Sequence, residues 1–164
     1  MCPKLFKILR VSNRGDNVVE VIANQTYSVN IPSELRESNK MIKVSVINAT
    51  MAFNTDSTFD TYTEIGVTSN LGSLHSYDTE VDSFRPKNFD LLFNIDTSTF
   101  GKQNNKLITF HTHDEAFQFW IGGLPEKLTF TSVASTTGKL TPIVNDNYIS
   151  FILKLEYYDY EELK

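Results

Sequence analysis

Apolar and polar residues alternate with a period of two along much of this chain, and almost nowhere with the period of a helix. In MIKVSVINA, from Met41, the side chains of Ile42, Val44 and Val46 fall on one side and those of Lys43 and Ser45 on the other. That alternation is the mark of a strand with one buried face. NFDLLFNID (88–96) places Phe89, Leu91, Phe93 and Ile95 on a common face. The longest such run, NYISFILKLEYYDY (147–160), sets Ile149, Phe151, Leu153, Leu155 and Tyr157 opposite Ser150, Lys154 and Glu156. Further strands are expected at KLFKILRVS (4–12), NVVEVIA (17–23), YSVNI (27–31), TYTEIGVT (61–68), KLITFHT (106–112), AFQFWIG (116–122) and KLTFTSVAS (127–135).

The segments between these runs suggest how they connect. NRGDN (13–17) is rich in residues that tolerate turn conformations, so the first two strands are expected to form a hairpin. PSELRES, opened by Pro32, is the best candidate for a short helical turn. The strands at 106–112 and 116–122 are expected to form a second hairpin, turned by Asp114 and Glu115, and TTGK to lead toward the last strand. One long irregular connection, 69–87, amid shorter ones fits Greek-key or jelly-roll wiring better than a meander. The expected architecture is therefore all-β: a two-sheet antiparallel sandwich, a single jelly roll over 41–164, with an N-terminal β-hairpin or arm over 1–40.

Composition agrees with this and narrows the function. The chain has 164 residues, 12 of them Phe and 7 Tyr, with few Gly or Pro, which suits pleated surfaces around one core. A net charge of −5 with scattered Lys and Arg argues against a nucleic-acid groove. No apolar run is long enough to cross a bilayer, and the first residues lack the apolar stretch of a cleaved signal peptide. Cys2 is the single cysteine and has no internal disulfide partner.

The stretch with the most chemical character is His111-Thr112-His113-Asp114-Glu115. Two histidines at i and i+2 on a strand project to one side and could share a metal, as in a cupin. A cupin places a glycine where Asn105 stands and a glutamate where Phe117 or Gln118 stands. Glu115 comes too early, and no histidine follows His113; His75 lies in the irregular connection. Two histidines without a third ligand bind metal poorly, so the stretch reads as the polar end of a hairpin. There is no nucleophile elbow, phosphate loop or calcium loop, and neither catalysis, a metal nor a cofactor is expected.

Surface motifs point instead to recognition. Arg14-Gly15-Asp16 sits on an expected turn, and Arg14 and Asp16 are candidate interface residues. Asn24-Gln25-Thr26 and Asn48-Ala49-Thr50 match the glycosylation acceptor pattern, which without a signal peptide has no evident use. Aromatic residues on both strand faces and in loops exceed what one core should hide: Trp120, Tyr157, Tyr158 and Tyr160 are the interface candidates, with Phe53, Phe59 and Phe84 in loops.

The runs MIKVSVINATMAFNT, FDLLFNID and KLTFTSVASTTGKLTPIVNDNYISFILKLEYY resemble the single jelly-roll minor capsid or penton proteins of icosahedral DNA viruses of the double-jelly-roll lineage. The resemblance covers roughly 41–160 and is one of pattern, carrying no functional residue position by position. It implies a virion structural protein made in the host cytoplasm. Its partners would be copies of itself, as a pentamer or trimer, and a major capsid protein. A carbohydrate- or ligand-binding sandwich, using Trp120 and Gln118, is the alternative, and a cupin-like metal enzyme a second one.

Overall fold

Among the described residues the ten expected runs and the unexpected pair Thr141–Pro142 give eleven strands: β1 (Leu5–Ser12), β2 (Val18–Ile22), β3 (Thr26–Asn30), β4 (Lys40–Phe53), β5 (Glu64–Ser69), β6 (Asp90–Asp96), β7 (Leu107–His111), β8 (Gln118–Ile121), β9 (Lys127–Ser135), β10 (Thr141–Pro142) and β11 (Asn147–Asp159). The computed structural model describes residues 5–22, 25–37, 40–53, 64–71, 90–96, 107–111, 118–135, 141–143, 147–159 and 161. The first sheet runs β1-β11-β4-β7, with β8 also paired to β4; the second runs β2-β3-β9-β5-β6, with β10 paired to β9. Every pairing is antiparallel. The chain passes from β1 to β2–β3 in the other sheet, back to β4, across to β5–β6, back to β7–β8, across to β9–β10 and back to β11. Repeated crossing of this kind, with the last strand lying beside the first, is jelly-roll wiring.

Two N-terminal expectations change. The first two strands form no hairpin with each other: β1 pairs along its whole length with β11, from Leu5↔Tyr157 to Ser12↔Ser150. Instead β2 pairs with β3, and β3 in turn with β9. The buried Asn13 makes this crossing. Its N–H donates to the Ile149 carbonyl at 3.1 Å, and its Oδ1 accepts the Ile149 N–H at 2.9 Å. The β1–β11 ladder ends there, and the chain turns away through Gly15, whose carbonyl accepts the Val18 N–H at 3.2 Å. β1 and β3, both before residue 40, thus pair with β11 and β9, late in the chain. The short helix expected at PSELRES is one 3-10 turn, Ser33–Leu35, preceded by Pro32.

Burial follows the alternation, and bulges on β4 and β6 decide where it shifts. On β11, Ile149, Phe151, Leu153, Leu155 and Tyr157 are all fully buried. Their partners on β4 are Met51, Ala49, Val46, Val44 and Ile42. That list skips from odd to even numbers because Ile152 pairs with Asn48 but Leu153 with Val46, leaving Ile47 as a bulge. One extra residue resets the parity, so a single face of β4 stays on the core for its full length. On β6 a similar shift, Val67↔Phe93 but Thr68↔Leu91, leaves Leu92 unpaired. The face expected to hold both Leu91 and Phe93 is split by it: Leu92 and Phe93 join the core cluster and Leu91 does not.

Phe151 joins the sheets. Its ring lies 5.5 Å from Phe130 on β9, edge-on, and 5.9 Å from Phe93 on β6. Each such pair contributes about 0.5–1.5 kcal/mol beyond the area it buries. Gly66 on β5 lets β6 approach closely, since a Cβ there would stand 2.5 Å from the Phe93 carbonyl oxygen.

Candidate functional site

β7 and β8, expected as the two arms of one hairpin, do not pair with each other. β7 pairs with Asn48–Ala52 of β4 and β8 with Ile42–Ser45, both antiparallel and both on the edge of β4 not taken by β11. The two strands thus run in the same direction, one after the other, along one neighbour. The last rung of β7 is Asn48↔His111 and the nearest rung of β8 is Ser45↔Gln118, so Val46 and Ile47 of β4 separate the two. His111 lies opposite Asn48, one position from the rung that pairs Phe110 with the core residue Ala49. His113, Asp114 and Glu115, with Cys2, His75, Phe59, Phe84 and the TTGK turn, lie outside the described residues. Among the described residues no three His, Cys, Asp or Glu side chains gather as metal ligands. No helix there is long and apolar enough to cross a membrane.

The turn that carries Arg14 and Asp16 borders a cleft of about 460 Å³, lined by β1, residues 14–17, the start of β2, the end of β3 with Ile31 and Pro32, and Tyr148. Arg10 reaches across its wall, donating from Nη2 to the Tyr148 hydroxyl at 3.4 Å and from Nε to Ser150 Oγ at 3.3 Å. Hydrogen bonding to Ser150, joined by Arg10, holds the Tyr148 phenol below its ordinary range. The two expected residues, Arg14 and Asp16, are exposed. Arg10 and Tyr148 were not expected; they come together only because β1 pairs with β11.

The aromatic candidates separate by strand parity. Tyr157, expected at an interface, is instead a core residue: its ring is fully buried, and its hydroxyl donates to the Leu35 carbonyl at 2.7 Å. Burial, and then the negative charge of Glu37, push its phenol up to about 12. Tyr158 points the other way, and its ring lies 5.0 Å from that of Trp120. Tyr158 is nearly covered, whereas Trp120 remains 46% exposed. Tyr160 and the side chain of Phe53 are outside the described residues.

Trp120 belongs to a wider surface. It pairs with Lys43, Lys43 with Glu156, and Glu156 with Phe6, so one line crosses four strands on the outer face of the first sheet. Phe6 and Ile8 on this face are both about half exposed. Lys154, opposite Ile8, sits 5.4 Å above the Phe6 ring and 3.5 Å from Glu156. Neither Phe6 nor Ile8 was singled out from sequence. The available signal was KLFKILRVS itself, apolar on both faces, which one buried face does not require.

No protein-family model matches the chain, and no curated protein sequence matches it.

Proposed function

We propose that this chain is a structural subunit of a virion, a single jelly roll that assembles as a minor capsid or penton protein through contacts with its own copies and with a major capsid protein. The observation that carries the reading is the outer face of the first sheet, where Phe6, Ile8 and Trp120 stand exposed around Lys43, Lys154 and Glu156. Aromatic and aliphatic side chains mixed with a few charges on a rigid sheet are the makings of a protein interface. The jelly-roll wiring supplies that rigidity and agrees with the resemblance of the strand patterns to capsid proteins. Size-exclusion chromatography with mass measurement tests it: the full chain is expected to run as a discrete oligomer at high micromolar concentration. A strict monomer that instead binds glycans through Trp120 would replace this reading with that of a carbohydrate-binding sandwich.

A further inference from the structure

The cleft beside the turn at Arg14 and Asp16 is lined by Leu9, Arg10, Val11 and Ser12, four consecutive residues of β1. Side chains of a strand alternate between its two faces, so a run of consecutive lining residues places the cleft along the strand's backbone edge. β1 is the end strand of the first sheet, and among the described residues it pairs with β11 alone. Its other edge is open, and the cleft follows it.

The ladder shows which backbone groups that edge presents. The rung after Ser12↔Ser150 brings Asn13 to Ile149, and there the Asn13 N–H donates to the Ile149 carbonyl at 3.1 Å. In an antiparallel pair such bonded positions recur at every second residue. Val11 and Leu9 thus direct their N–H and C=O groups at β11, while Ser12, Arg10 and Ile8 direct theirs away from it. Among the described residues no backbone group bonds to these three on the open side. Leu9, Val18 and Val29, partly buried and packed on the core, form the apolar wall of the cleft. Arg10 stands at its rim. Its side chain donates to two neutral hydroxyls, those of Tyr148 and Ser150, and no carboxylate among the described residues pairs with it.

We propose that the open edge of β1 takes an extended segment of another polypeptide as an added antiparallel strand, one that alternates aliphatic side chains with acidic or hydroxyl ones. Its backbone bonds to Ser12, Arg10 and Ile8, the main-chain pairing by which exposed sheet edges capture peptides. Residues opposite Val11 and Leu9 turn inward against the apolar wall. The residue opposite Arg10 lies on the same outer face as the guanidinium, where a carboxylate complements its charge. The cleft, at about 460 Å³, has the volume of an ordinary ligand site. This edge is a different surface from the outer sheet face on which the assembly reading rests.

The blocked pentapeptide TVEVT is the probe, running antiparallel to β1 with its glutamate opposite Arg10 and its valines opposite Val11 and Leu9. Added at millimolar concentration to the full chain, it should slow hydrogen exchange of the Ser12, Arg10 and Ile8 amides roughly tenfold or more. Exchange at Val11 and Leu9, already bonded to β11, should not change. Methylating the glutamate nitrogen of the peptide removes the N–H aimed at the Arg10 carbonyl and should abolish the effect. Methylating the nitrogen of its first valine, which points away from β1, should not. TVEVT should bind about twofold to fivefold tighter than TVQVT, and Arg10→Gln should remove that preference. Amides left unprotected, or two methylated peptides that act alike, would overturn the proposal. So would protection that grows with protein concentration in the absence of peptide, which assigns the edge to a second copy. A preference for TVEVT that survives Arg10→Gln would overturn the acidic character given to the partner. The assembly reading is decided separately, by the oligomeric state.

Discussion

Replacing Tyr157 by phenylalanine removes one oxygen atom from the end of the core without opening a cavity around the ring. That oxygen is the Tyr157 hydroxyl, which donates to the Leu35 carbonyl at 2.7 Å and so ties the 3-10 turn to β11. The loss of a buried hydrogen bond, with the carbonyl left short of a donor, should destabilise the protein by about 1–2 kcal/mol in urea titrations near pH 8. The same hydroxyl supplies a second, independent readout. Burial pushes its pKa up to about 12, from about 10 in an unfolded chain. The folded state therefore retains a proton that the unfolded state gives up. Stability from this group is full below pH 10 and is lost as pH rises toward 12, a loss of about 2–3 kcal/mol in all. Tyr157→Phe has no such loss, while every other titrating group is common to both proteins. The wild-type advantage seen at pH 8 should therefore shrink above pH 10 and reverse toward pH 12. Curves that stay parallel across that range, or a difference within about 0.5 kcal/mol at pH 8, would refute the assignment of this hydroxyl to the core.

Two further substitutions probe the wiring. Asn13→Ala removes the side-chain acceptor of the Ile149 N–H, a buried bond of 2.9 Å; a loss of about 1–3 kcal/mol is expected by urea denaturation, and an unchanged midpoint would mean that Asn13 does not hold the crossing between sheets. Gly66→Ala places a methyl group 2.5 Å from the Phe93 carbonyl oxygen, so β5 and β6 must separate at a cost of about 1–3 kcal/mol; a melting temperature equal to the wild type would show that no close approach exists there.

What could be read from the residues and what could not divides along physical lines. A period of two marks which residues of a strand share a face, and this holds wherever the strand is regular, as from Ile149 to Tyr157. The two-sheet sandwich, the strand positions and most of the core followed from that local pattern together with the turn residues. Partner choice is not local. KLFKILRVS and NVVEVIA look like the arms of one hairpin across NRGDN, yet β1 is held by β11 and β2 by β3. The apparent hairpin around Asp114 and Glu115 is likewise two strands in file along β4. Bulges at Ile47 and Leu92 shift the side-chain parity by one, and nothing in the alternation up to that residue announces them.

The candidate surfaces show the same division. Trp120 could be identified as outward-facing from its place between Phe119 and Ile121, both of which lie on the side of the apolar stripe. Tyr157 and Tyr158 could be assigned to opposite faces but not to core and surface. The line Phe6–Glu156–Lys43–Trp120 joins residues as much as 150 positions apart, and only the strand order β1-β11-β4-β8 makes them neighbours. The sequence by itself determined which side chains share a face of each strand, because that depends on the backbone repeat alone. The tertiary structure decided which strands lie side by side, and so which faces combine into a surface, because that depends on pairing between residues far apart in the chain.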